Sequence, residues 1–97
     1  HTGLDIAAPK GTPVKAADPG EVLYTGWMRG YGQVVIVDHG GNLTTVYAHL
    51  SKIETTEDAK VTRQTVIGRV GVATGNHLHF EVRVNGNAVN PLKYLNK

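Results

Sequence analysis

No cysteine occurs in the 97 residues. Disulfides and thiolate metal ligands are therefore excluded, and His, Asp and Glu are left as the strong candidates for any metal site. No apolar run approaches the roughly 20 residues that a membrane-crossing helix needs, so no transmembrane segment is expected in this chain. No long window carries an apolar period near 3.6, which argues against amphipathic helices. Repeats, low-complexity tracts and linkers are also missing. Charge of one sign is scarce: ten Lys and Arg face eight Asp and Glu for a formal net charge of +2. The basic residues are scattered, so no nucleic-acid partner is expected. The chain opens on His1 rather than an initiator Met. It is expected to be one domain, residues 1–97, cut from a longer chain. Nothing in the pattern sets an oligomeric state.

What the sequence does contain is punctuation. Twelve glycines and four prolines separate short alternating apolar runs, a pattern of all-β proteins. Candidate strands are Leu4–Ala8, Val14–Ala17, Glu21–Trp27, Gln33–Asp38, Asn42–Leu50, Thr65–Val70 and His77–Val84. His39-Gly40-Gly41-Asn42 and Asn85-Gly86 read as hairpin turns, because glycine supplies the positive φ that tight connections require. Val34–Val37 is apolar on both faces, as in a central strand covered on each side. A helical turn is expected only around Pro91–Leu95. A two-layer β-sheet sandwich or a flattened barrel follows.

Histidine sits on these strands. In His77-Leu78-His79-Phe80-Glu81-Val82-Arg83-Val84 polar and apolar residues alternate without interruption. One face then shows His77, His79, Glu81 and Arg83, and the other fills the core. The two imidazoles point the same way, about 7 Å apart at their Cα atoms. In Thr45-Val46-Tyr47-Ala48-His49-Leu50 the same alternation places Val46, Ala48 and Leu50 inward, with Thr45, Tyr47 and His49 on the polar face. His1 and Asp5 lie four apart, on one side of an extended segment.

Catalytic zinc takes three ligands from His, Asp and Glu and keeps one position for water, whose pKa falls towards 7. The histidines supply such a set with some to spare, and spacing alone does not choose among them. The helical His-Glu-x-x-His motif is absent, so proton transfer falls to a histidine, whose pKa near 6.5 suits it. The bland readings are that His-x-His is only a polar sheet face and that His39 only ends a strand. Tyr31 and Tyr47 read as packing or groove-wall residues, and Glu81 and Arg83 as a solvated or ion-paired face.

Several blocks together carry a more specific signal: His-Thr-Gly-Leu-Asp-Ile-Ala-Ala-Pro at 1–9, Gly-Thr-Pro-Val at 11–14, Gly-Tyr-Gly at 30–32, Tyr-Ala-His-Leu-Ser at 47–51, Thr-Gly-Asn-His-Leu-His-Phe-Glu-Val at 74–82 and Asn-Pro-Leu-Lys-Tyr-Leu at 90–95. In this order they closely resemble the lysostaphin-type (LytM-like) zinc metallopeptidases over essentially the whole chain. The resemblance implies an all-β fold, an antiparallel β-sheet sandwich or flattened barrel with a narrow groove over the catalytic sheet, and an endopeptidase with one Zn2+ per domain, cutting peptide bonds in the cross-links or stems of bacterial peptidoglycan in the cell envelope, periplasmic or secreted. It implies His1, Asp5 and His79 as metal ligands, with His49 and His77 beside the metal as catalytic residues. His77 is expected to be the general base, and His49 to stabilise the tetrahedral oxyanion or the attacking water.

Some residues depart from the family pattern. Asp58 and Gln64 stand where glycines usually bound a hairpin, and Asp tolerates a left-handed turn better than Gln does. The segment from Gly71 to Thr74 is shorter than usual, so a different groove wall is expected. Two rival classes are weighed. A non-catalytic wall-binding module or activator of other wall hydrolases shares this fold, but lacks ligands that are intact here. A biotinyl or lipoyl carrier needs an exposed Lys at a hairpin tip beside Met, whereas Met28 is followed by Arg29.

Overall fold

A computed structural model describes residues 3–73 and 75–91. They form ten strands: β1 (Leu4–Ala7), β2 (Pro13–Lys15), β3 (Gly20–Met28), β4 (Gly32–Asp38), β5 (Leu43–Ile53), β6 (Lys60–Val61), β7 (Val66–Val70), β8 (Val72–Ala73), β9 (Gly75–Val84) and β10 (Asn87–Val89). The described residues contain no helix. Each expected strand is present, and β6, β8 and β10 are short additions. Pro91 lies in a turn, while the rest of the expected helical turn lies outside the described residues.

The main sheet runs β1-β9-β5-β4-β3-β6 with antiparallel pairing, and it is not closed into a barrel. The long β5 serves two parts of the fold. Its first half lies between β4 and β9, and its end pairs with β7, which in turn carries β2. The 39–42 turn has the expected left-handed backbone, with φ of 85° at Gly40, 61° at Gly41 and 64° at Asn42. Asn85 and Gly86 make the β9–β10 hairpin with φ of 54° and 82°. Asp58 takes a φ of 71°, the left-handed turn that its side chain tolerates.

Two apolar clusters sit on opposite faces of the main sheet. The larger packs Val22, Val35, Val37, Tyr47, Phe80 and Val82 against Val14, Ala16, Ile67 and Val70 of the β2–β7 layer. The smaller buries Val34, Val46 and Ala48 under Tyr24, Met28, Tyr31 and Ile36. β4 therefore contributes to both, which explains why it is apolar on each face.

Leu78, Phe80 and Val82 of β9 are buried in the larger cluster, each contributing roughly 1.5–3 kcal/mol. A one-residue slip would turn all three to the other side, so this burial fixes the register. It sends His79 and Glu81 to the opposite face, with Asp5 of β1 paired to His79 on one side and Ala48 of β5 on the other.

β5 corrects the alternation argument. Thr45 and Tyr47 are buried, Tyr47 within the larger core, and its hydroxyl accepts from Ala17 N–H at 2.9 Å. Val46 and Ala48 belong to the smaller cluster, on the His79 side. Strict alternation would thus aim His49 into the larger core. A β-bulge prevents this: Val35 pairs with Tyr47 and Gln33 with Leu50, so Ala48 and His49 together oppose Val34. His49 takes the left-handed conformation, φ 61°, and turns to the site face.

Candidate metal centre

The bulge is held by backbone on both sides. His49 N–H donates to the Tyr31 carbonyl at 2.8 Å, and Gly71 N–H donates to the His49 carbonyl at 2.9 Å. Tyr31 can reach there because the 29–32 hairpin folds back over the sheet with Gly30 and Gly32 at positive φ. Gly71 has no room for a side chain, since a Cβ there would lie 2.4 Å from the His49 carbonyl oxygen.

His49, His77 and His79 converge over β5 and β9. The His49 ring lies 5.7 Å from that of His77 and 5.9 Å from that of His79, centroid to centroid. Asp5 Oδ1 is 2.8 Å from His79 Nδ1 and 3.9 Å from His77 Nε2. The cleft they line, about 310 Å3, is completed by Gly30, Tyr31 and Glu81. His1 lies outside the described residues. His39 stands apart, with Nδ1 at 2.8 Å from the Pro19 carbonyl and Nε2 at 2.7 Å from Thr45 Oγ1, as a strand-end residue.

The three imidazoles are held differently. Both nitrogens of the buried His79 are engaged, Nδ1 by Asp5 and Nε2 by Glu81 Oε2, each at 2.8 Å. The rings of His49 and His77 make no hydrogen bond among the described residues and face the cleft. Burial works against a charged His79, but the hydrogen bonds to Asp5 and Glu81 outweigh it and raise its pKa. The hydrogen bond to His79 holds the Asp5 carboxyl below the usual value, with the positive field of the other histidines adding to it. Burial lowers the pKa of His49, and the fields of His79 and His77 lower it further.

Of the expected solvated or ion-paired face, Glu81 keeps the pairing, with Arg83 Nη2 at 2.8 Å from Oε1, and corrects the solvation: it is buried, at 6% exposure. A buried carboxylate needs compensating donors. Arg83 Nε donates to Oε1 at 2.9 Å, Tyr31 Oη to Oε2 at 2.9 Å, and His79 Nε2 approaches Oε2 at 2.8 Å. Burial opposes ionisation of Glu81, yet these contacts bring its pKa below the ordinary value. Sequence reasoning missed Tyr31, Glu81 and Arg83 as one unit. Its only available signal was an acid and a base following His79 on one strand face; Tyr31 comes from a hairpin 50 residues away.

The donor set fits a metal ion. An ionised Glu81 can only accept, so a neutral His79 gives Nε2–H to it and faces Asp5 Oδ1 with its Nδ1 lone pair. Two lone-pair donors so close need a cation between them, a proton or a metal. His49 and His77 stand beside that pair. Among the described residues no group of three carboxylates and imidazoles is placed to hold a metal ion by itself; Asp5 and His79 are two of the three expected ligands.

Comparison with known proteins agrees with this fold. Residues 1–91 match Peptidase family M23, and the chain belongs to that family. It is 46% identical over 95% of its length to the DD-carboxypeptidase/endopeptidase Mpg of Neisseria meningitidis, covering 22% of that protein. It is also 39% identical over 98% of its length to the murein hydrolase activator NlpD of Salmonella dublin, covering 26%. The chain thus spans about a quarter of these relatives. Among solved structures, the catalytic domain of lysostaphin from Staphylococcus simulans superposes with a TM-score of 0.91 at 30% identity, over 100% of this chain and 80% of that one. A zinc-containing peptidase from Vibrio cholerae gives a TM-score of 0.85 at 35% identity, over 92% and 28%.

Proposed function

We propose that this chain is a zinc-dependent endopeptidase domain that hydrolyses peptide bonds in the cross-links or stems of bacterial peptidoglycan, outside the cytoplasm. The observation that carries the reading is the facing pair of donors, Asp5 Oδ1 and His79 Nδ1, with the His49 and His77 rings, which make no hydrogen bond among the described residues, beside it. Asp5 and His79 would hold the zinc, with His1 as the third ligand. Zinc, when bound, supplies a Lewis acid that polarises a carbonyl and acidifies water.

His77 and His49 handle the proton. His77, with Nε2 at 3.9 Å from Asp5 Oδ1, takes the role of general base. His49, with its depressed pKa, is neutral near pH 7 and presents its ring to the developing oxyanion or the attacking water. Its bulged backbone, held by the Tyr31 carbonyl and the Gly71 N–H, sets the point from which that ring projects. Gly30 and Tyr31 of the 29–32 hairpin form one wall of the cleft.

The similarity to NlpD favours a second reading, a module that binds wall and activates other hydrolases without cutting. The presence of Asp5, His49, His77 and His79 in one cleft argues for catalysis. Mass spectrometry of fragments from defined cross-linked muropeptides, with and without chelator, separates the two. Chelator-sensitive cleavage supports the peptidase; wall binding with no cleavage and no zinc supports the activator. Replacing His49 or His77 by Ala should abolish cleavage with zinc near one per chain, whereas Asp5→Ala should lose the metal. Zinc loss in His77→Ala would overturn the division of roles.

A further inference from the structure

Arg83, Tyr31, Glu81 and His79 form a hydrogen-bond chain whose direction is dictated by chemistry. An arginine only donates and stays protonated in proteins. Arg83 Nη2 therefore donates to Tyr31 Oη, at 2.7 Å, and occupies a lone pair of that oxygen. The single Tyr31 proton is then left for Glu81 Oε2, at 2.9 Å. Arg83 also fixes the other end of the carboxylate through Oε1, with Nε at 2.9 Å. Oε2 is thus an acceptor held towards His79 Nε2 at 2.8 Å. The Tyr31 ring adds a steric guide, standing edge-on to the His79 ring at 6.0 Å and 71°.

We propose that Arg83, Tyr31 and Glu81 are positioning residues that lock His79 in its Nε2–H tautomer, so that Nδ1 is presented as a lone-pair donor beside Asp5. An unbiased imidazole could put its proton on either nitrogen, and the Nδ1–H form would offer Asp5 a hydrogen bond and a metal nothing. Carboxylates that accept from metal-binding histidines act in this way and contribute about 10–100-fold to metal affinity. The inference rests on the zinc reading of the site, but it concerns the proton on His79 and is measurable without metal.

Glu81→Gln inverts the chain. Arg83 cannot accept, so the amide oxygen must stay on the Arg83 side and the amide NH2 must face His79. That arrangement favours a lone pair on Nε2 and a proton on Nδ1. Tyr31→Phe is the milder variant, keeping the ring and removing only the hydroxyl. The experiment has two readouts: long-range 1H–15N NMR of the zinc-free proteins for the tautomer of neutral His79, and chelator competition for zinc affinity. Wild type should show the proton on Nε2. Glu81→Gln should move it towards Nδ1 and weaken zinc binding by about 10–100-fold. Tyr31→Phe should keep Nε2–H and lose a smaller factor. Should Glu81→Gln fail to fold, Tyr31→Phe still carries the affinity comparison. A wild-type proton on Nδ1, or variants that bind zinc as wild type does, would overturn the inference. A wild type with Nε2–H that binds no zinc would instead count against the zinc reading and leave the tautomer lock standing.

Discussion

Replacing Gly71 by Ala adds one methyl group outside the cleft, yet it should act on catalysis. The new Cβ would lie 2.4 Å from the His49 carbonyl oxygen, 2.8 Å from Ser51 N and 2.9 Å from Leu50 C. All three are backbone atoms, so no rotamer change relieves the collision. Gly71 is not at positive φ, so the backbone itself tolerates alanine and the collision is the perturbation. Ordinary contact begins near 3.4 Å, so the His49 bulge and the end of β7 must separate by about 1 Å, and a displacement of that size costs roughly 10²-fold in rate. Overpacking of this kind also costs about 1–3 kcal/mol of stability. The three atoms nearest the added Cβ belong to His49, Ser51 and Leu50 rather than to Asp5 or His79, so zinc affinity should stay within about threefold, below the 10–100-fold losses expected when a ligand's support is removed. The assay is muropeptide cleavage by the zinc-loaded variant beside chelator competition for the metal. Wild-type turnover in Gly71→Ala, or loss of zinc with unchanged turnover per bound zinc, would refute the link between bulge and chemistry.

Gly3 offers the complementary perturbation. A Cβ there would sit 2.0 Å from His79 Cε1 and 2.5 Å from Nε2, so Gly3→Ala must push the ring off Asp5, Glu81 or both. Zinc affinity should fall by on the order of 10-fold or more, and unchanged affinity in a chelator titration would contradict the packing described. In the zinc-free protein, NMR titration should find His79 above and His49 below the ordinary imidazole value of 6.5. By linkage, the contribution of His79 to stability is full below 6.5 and is lost as pH rises through its folded pKa. That of His49 is present above 6.5 and is lost as pH falls through its folded pKa. The reverse order of titration would show that the charges surrounding these rings have been misread.

Much of the architecture was legible because β9 is regular. Between His77 and Val84 nothing interrupts the period of two, so Leu78, Phe80 and Val82 identify the core side and His79 and Glu81 the other. β5 was not legible in the same way. Whether His49 follows or breaks the alternation depends on how many residues of β4 it faces and on the Tyr31 and Gly71 backbone around it, and none of these is local to Tyr-Ala-His-Leu. The polar face expected for Thr45 and Tyr47 failed for that reason, although His49 itself does reach the cleft. Glu81 read as part of a solvated or ion-paired face, and only the pairing held, because a strand pattern shows which side a residue faces but not what covers it. Its cover, the Tyr31 ring and hydroxyl, arrives through tertiary folding. The helical turn beyond Pro91 and the ligand role of His1 concern positions outside the described residues.

The position of a bound metal separates the ligands from the proton carriers. Anomalous diffraction at the zinc edge from crystals of the zinc-loaded protein tests this most directly. A single peak bonded to Asp5 Oδ1 and His79 Nδ1, with His49 and His77 near it but unligated, is the predicted result. A peak held by His49 or His77, or bound through His79 Nε2, would contradict the assignment of ligands and proton carriers.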